Sequence, residues 1–210
     1  AARLTGWDWG PVAAFVNGQR NASLGQRELG QREAARPDGR DSGRDRDRGV
    51  YAALDLGTNN CRLLVAVPRD YGFRVVDAFS RIVRLGEGIG ETGRLSPGAM
   101  ERAIEALKVC SGKLAYREVE KVRLIATEAC RAAENGVEFV ELVRQETGLA
   151  LEIVSQETEA RLAVAGCASL VDPKASGVIL FDIGGGSSEL VWIDLAERAD
   201  GRRRRMSERI

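Results

Sequence analysis

Two stretches of this chain follow one plan. AALDLGTNNCRLLVAV, Ala52 to Val67, and VILFDIGGGSSELVWI, Val178 to Ile193, each run from an apolar strand into Asp-x-Gly, then a turn of small residues, then a second apolar strand. Apolar runs flanking a glycine-containing turn predict a β-hairpin. Two such hairpins, separated by more than a hundred residues, predict two related lobes that face one another. Each turn also keeps an acidic residue at its mouth, and Asp182 and Glu189 bracket the second.

The residues between the hairpins set the architecture. VYAALDLG, CRLLVAVP and FRVVDAFSRIVRL are three consecutive β-rich runs broken by TNN and RDYG. Ser96-Pro97 then supplies an N-cap with proline in the first turn, and Met100, Ala103, Ile104, Leu107, Cys110 and Leu114 follow at helical spacing. The pattern predicts a strand over Val122 to Thr127, a helix from Gly136 to Thr147 stopped by Gly148, a strand over Leu149 to Ser155, and a helix from Glu157 to Leu170. Helices linking consecutive strands through crossovers imply a mixed α/β sheet with parallel members. The expected order is β-β-β-α-β-α-β-α over residues 50–172, with the first hairpin of a second lobe over residues 173–195.

Flanking regions carry little that could be buried. Gln19 to Arg48 is rich in Arg, Asp, Gly and Gln, so residues 1–49 read as a disordered or loosely ordered extension. Residues 4–18, with two of the three tryptophans, could form a loose docking element within it. Residues 196–210 read as a disordered basic tail, although the RRRR run could instead touch polyphosphate or RNA. The chain opens on Ala and stops soon after the second hairpin, which reads as a fragment.

Composition removes several chemistries. Basic and acidic residues balance at 31 each, so no global field recruits nucleic acid, and attraction for phosphate must be built locally. There is no histidine, which excludes His-based triads, phosphohistidine and HExxH zinc sites. A general base is therefore a carboxylate, with lysine or tyrosine as weaker substitutes. The four cysteines, Cys61, Cys110, Cys130 and Cys167, lack CxxC spacing and read as reduced packing residues. No apolar run is long enough to span a bilayer and no signal peptide opens the chain, which predicts a soluble cytoplasmic protein.

Glycine permits positive φ, so consecutive N–H groups in such turns can converge into an anion-binding nest. Gly184, Gly185 and Gly186 alone would also suit a plain hairpin turn, but the repeated Asp-x-Gly favours a phosphate site. Neither turn is a P-loop or a GxGxxG opening a helix. Asp182 and Glu189 are hard oxygen ligands suited to Mg²⁺, which takes one or two carboxylates and keeps its other positions for water and phosphate. Glu189 could also be an outward polar residue of its strand.

DLGTNNCRLL, RLGEGIGETGRLS, IATEACRAAENG, SQETEARLAVAG and FDIGGGSSELV resemble, in this order, the exopolyphosphatase and guanosine pentaphosphate phosphohydrolase family. The likeness runs from about Val50 to Leu195. It implies a lobe of the acetate and sugar kinase/Hsp70/actin superfamily (ribonuclease H-like), and release of terminal phosphate from polyphosphate or guanosine pentaphosphate. Within that resemblance Glu159 matches the residue that activates the attacking water, and Asp182 and Glu189 the acidic pair tied to the metal. Gly57, Thr58, Asn59 and Asn60 match the first phosphate loop and Gly184, Gly185, Gly186 and Ser187 the second. Arg62 and Arg131 match basic positions near them, though each also suits a surface ion pair. Many relatives carry Ser-Gly-x-Glu-Glu before Ala-Arg, whereas Ser155-Gln156-Glu157-Thr158-Glu159 lacks that glycine and the first acid. The resemblance implies a homodimer for full-length relatives and no membrane or specific nucleic-acid partner. Rival readings are an ATP-dependent sugar or acetate kinase of the same superfamily, and an inactive scaffold that senses phosphate compounds.

Overall fold

Alternating burial along the first strands decides which face of the sheet is inside. The computed structural model describes residues 49–70, 72–172 and 174–195, and the backbone of Glu208 and Arg209. The expectations for residues 1–48, 196–207 and 210 lie outside the described residues. Strands β1 (Tyr51–Leu56), β2 (Asn60–Pro68) and β3 (Phe73–Ile82) form an antiparallel meander. Ala52, Leu54, Leu56, Cys61, Leu63, Val65 and Val67 point to one buried side. Asp55 and Arg62 occupy the other parity and are paired directly across β1 and β2.

Two helices close the buried side. A short α1 (Ile89–Thr92) is bounded by Gly88 and Gly93, both left-handed, and leads to α2 (Pro97–Tyr116). The Ser96 hydroxyl accepts the Ala99 N–H at 3.3 Å and proline occupies the first turn, so both predicted start signals operate. From α2, Ala99, Ala103, Ala106, Leu107 and Cys110 are buried. They join Phe139 and Val143 of α4 (Gly136–Thr147) in one core against the sheet. At the far end of α2, Lys113 and Arg117 reach Asp77 of β3 at 2.7 and 3.0 Å. The Lys113 ammonium, helped by Arg117, holds the Asp77 carboxyl below its usual range and ties the helix to the sheet edge.

Strands β4 (Lys121–Ala126) and β5 (Glu152–Ile153) add in parallel, giving the order β3-β2-β1-β4-β5. The predicted strand over Leu149 to Ser155 contracts to two ladder residues, because Leu149, Leu151 and Val154 are used as buried packing. A one-turn helix, α3 (Glu128–Ala132), follows β4 directly and was not anticipated. Helix α5 (Gln156–Cys167) begins at Ser155, whose hydroxyl accepts the Thr158 N–H at 3.2 Å, and a 3-10 turn at Ala168–Leu170 ends it.

The second unit is the hairpin β6 (Gly177–Ile183) and β7 (Ser188–Asp194), with Glu208–Arg209 pairing antiparallel to β7 as β8. Ala160 and Val164 of α5 pack on Val191 and Ile193, so α5 covers one face of the second hairpin. Cys61, Cys110 and Cys130 are buried, Cys167 is half-buried, and all four are free thiols, as their apolar contexts predict. Burial pushes the Cys130 thiol up to about 12, which keeps it protonated and unreactive.

Candidate active site

Both glycine turns close in the same way. Gly57 N–H donates to the Asn60 carbonyl at 2.9 Å, and Gly184 N–H donates to the Ser187 carbonyl at 2.9 Å. The register extends the equivalence, because Asp55 lies opposite Arg62 in the first hairpin and Asp182 opposite Glu189 in the second. The repeated sequence plan is therefore a repeated structure.

These turns meet tip to tip. A β-carbon at Gly185 would lie 2.5 Å from Asn59 Nδ2, and one at Gly186 would lie 2.8 Å from Thr58 Oγ1. A side chain at either position would force the opposing Asn59 or Thr58 side chain to shift. Their φ angles are outside the left-handed region that five other glycines adopt, so the predicted positive-φ nest is not how the second turn is built. Thr58, Asn59, Asn60 and Gly185 line one recess there, and Ser187 closes the second turn.

Carboxylates gather behind the tips. Asp55, at the end of β1, has its Oδ1 buried with no hydrogen-bond partner. Burial raises its pKa, with Asp182 reinforcing the rise and Arg62 opposing it. Glu189 is buried on β7 and Asp182 half-buried on β6. Gln156 at the start of α5 points its amide toward Glu189 Oε1 at 3.5 Å.

Glu159 stands in the first turn of α5, where its N–H donates to the Ser155 carbonyl at 3.0 Å. Burial raises its pKa, Arg131 opposes the rise, and Glu189 and Asp55 add to it. Arg131, on α3, donates through Nη1 to Glu159 Oε2 at 3.1 Å and to the Val154 carbonyl at 2.8 Å. Its Nε donates to Glu128 Oε2 at 3.1 Å, and Nη2 meets the same oxygen. Arg131 is thus an orienting clamp between two carboxylates, and Arg62 balances Asp55 from the neighbouring strand.

Of the residues singled out from the sequence, Thr58, Asn59, Asn60 and Gly185 line the recess at the tips, Gly186 faces Thr58, Arg131 holds Glu159, and Arg62 lies beside Asp55. Two were missed. Asp55 is the first-hairpin twin of Asp182, and the repeated Asp-x-Gly was the signal that could have found it. Glu128 shares Arg131 with Glu159, and its only trace in the sequence is a spacing of three from that arginine.

A sequence profile of the Ppx/GppA phosphatase family matches residues 64–201. The chain belongs to that family. Among solved structures, a Ppx/GppA family member from Aquifex aeolicus is 34% identical with a TM-score of 0.61, over 77% of this chain and 51% of that one. An exopolyphosphatase-like protein is 30% identical with a TM-score of 0.66, over 76% and 50% of the respective chains. An exopolyphosphatase from Cytophaga hutchinsonii is 25% identical with a TM-score of 0.64, over 75% and 48%. The chain spans about half the length of these Ppx/GppA structures. Among the described residues no helix is long and apolar enough to cross a membrane.

Proposed function

We propose that this cleft belongs to a hydrolase that releases terminal phosphate from inorganic polyphosphate or guanosine pentaphosphate. The observation that carries the reading is the tip-to-tip meeting of two equivalent Asp-x-Gly hairpins over a group of four carboxylates, Asp55, Glu159, Asp182 and Glu189. Phosphoryl transfer asks a protein mainly for positioning and charge stabilisation; the paired turns supply the first, and a cation held by the carboxylates would supply the second.

The residues fit a hard divalent cation. Asp55 Oδ1 is a buried acceptor without a donor, and a cation is the partner that such an oxygen lacks. No three carboxylates or thiols among the described residues already form a cage. Mg²⁺ needs only one or two carboxylates, with water and substrate oxygens in its other positions. One or two of Asp55, Asp182 and Glu189 would hold it, and it would neutralise charge on the transferred phosphoryl group.

The chain's own groups do the rest. Backbone N–H groups of Thr58 and Asn59 and of Gly185 to Ser187, with the Thr58, Asn59 and Ser187 side chains, orient the terminal phosphate. Glu159 takes the proton of the attacking water. Burial raises its pKa, which makes it a stronger base than an ordinary glutamate. Arg131 occupies Oε2 and so directs Oε1 to the water.

The test is phosphate release from polyphosphate and guanosine pentaphosphate with and without Mg²⁺, beside phosphate transfer from ATP to sugars. Release that needs Mg²⁺ supports the reading, and sugar phosphorylation without release overturns it. Asp55→Asn should raise the Mg²⁺ needed for half-maximal release about tenfold or more, because ligand charge tunes divalent affinity strongly. It should equally weaken the thermal protection given by Mg²⁺ with polyphosphate. An unchanged Mg²⁺ titration in both assays would remove Asp55 from the metal site.

A further inference from the structure

Arg84 is held in a conformation that arginine avoids. Its φ is +48°, and Glu118 is the one other non-glycine in the left-handed region among the described residues. Such strain persists where surroundings over-determine it, and it concentrates at ligand clamps. Here the surroundings are the first glycine turn itself. The Asn59 carbonyl accepts both Val83 N–H at 2.8 Å and Arg84 N–H at 3.0 Å, and the Thr58 carbonyl accepts Gly86 N–H at 3.0 Å. The Arg84 carbonyl in turn receives Glu87 N–H at 3.1 Å and Arg102 Nη2 at 3.3 Å.

Charge bookkeeping around this loop leaves one cation over. Arg102 is committed to Glu87 at 2.6 Å and to the Val83 carbonyl at 2.9 Å. The Arg84 guanidinium is exposed and has no ion pair among the described residues. It borders a recess of about 480 Å³ whose other walls include Thr58, Asn59, Asn60, Glu87 and Gly185. That recess lies at the meeting of the two turns, and amide and hydroxyl side chains line it together with the arginine. Glycine or asparagine would adopt this backbone with less strain.

We propose that this recess is a second phosphate subsite, in which Arg84 holds phosphates of a chain internal to the terminal one gripped by the glycine turns. The inference rests on the reading above that the cleft takes a phosphate chain. A guanidinium fork matches two oxygens of one phosphate, and an adjacent row of amide donors suits a linear polyanion. Arg84 is a positioning residue that sets the length of chain the protein prefers, and it takes no part in bond breaking.

The experiment is isothermal titration of the full chain with long-chain polyphosphate and with tripolyphosphate, for wild type, Arg84→Gln and Arg84→Gly. Arg84→Gln should weaken long-chain binding about tenfold, as expected for one lost charge-assisted contact, and leave tripolyphosphate within about twofold. Arg84→Gly should lose the same long-chain affinity while its melting temperature rises, because the left-handed strain is relieved. A purely structural residue would not separate affinity from stability in this way. Wild-type binding with Arg84→Gln unchanged overturns the subsite alone, as does equal weakening for both ligands. Wild-type protein that binds neither ligand overturns the subsite together with the reading of the cleft.

Discussion

Glu159→Gln is expected to lower the rate of phosphate release by about 10²- to 10⁴-fold, the usual contribution of a general base. Glutamine keeps the shape of the side chain and can still face Arg131, so polyphosphate binding should stay within about threefold of wild type, the pattern of a group that acts in the transition state. The pH profile checks the assignment independently. Burial raises the Glu159 pKa, so the carboxylate is protonated, and the rate lost, as pH falls through a value above the ordinary glutamate range. Arg131 opposes that rise. Arg131→Met should therefore move the acid limb to higher pH as well as loosen Glu159. A Glu159→Gln protein with more than about a third of the wild-type rate would assign the water to another base, since such a loss is far below what a general base contributes. An acid limb unmoved in Arg131→Met would detach the profile from this pair.

The hairpins and the long helix were legible because their signals are local. Leu54, Leu56, Cys61, Leu63 and Val65 alternate with outward residues on either side of Gly57, and a period of two admits one pairing. Helix α2 announces itself through the Ser96 cap, Pro97 and apolar residues at helical spacing. One-turn helices such as α1 and α3 are too short to show a period, and β5 keeps two ladder residues because its neighbours turn inward to pack. At the site, Asp182, Glu189 and Glu159 were readable through motif and resemblance. Asp55 was readable in principle, since it occupies the place of Asp182 in the repeat. The reason for Gly185 and Gly186 was not readable, because it lies in Asn59 and Thr58, more than a hundred residues away in sequence. Nor does any local pattern predict that an arginine will sit at φ +48°.

Gly136→Ala is expected to be the most destabilising single methyl that can be added to the first lobe. A β-carbon on Gly136 would fall 1.8 Å from the Cys130 carbonyl oxygen and 2.8 Å from its carbon. Both are backbone atoms, so no side-chain rotation relieves the clash. The turn cannot easily swing away, because it is anchored on both sides. Asn135, itself buried, accepts Leu95 N–H at 2.8 Å and donates to the Leu95 carbonyl at 3.1 Å, and Glu134 N–H donates to the Gly93 carbonyl at 3.0 Å. Beyond the turn, Phe139 and Val143 lock α4 into the core. Overpacking of this kind costs about 3 kcal/mol, near the top of the usual range for added methyl groups. For a chain of this size that is roughly 6 to 12 °C in melting temperature. Gly112→Ala is the matched control: it adds the same methyl in mid-helix, on α2, with nothing within 4 Å, and should stabilise by about 0.5 to 1 kcal/mol through helix propensity. The damage should also reach the cleft. Cys130 lies on α3 between Glu128 and Arg131, so a carbonyl pushed aside carries the Arg131 clamp with it and weakens its hold on Glu159. Thermal denaturation of the two variants decides the matter. Melting of Gly136→Ala within about 2 °C of wild type, less than the shift expected from 1 kcal/mol in a chain of this size, would mean the turn rebuilds around the methyl and that Gly136 is not what sets the position of α3.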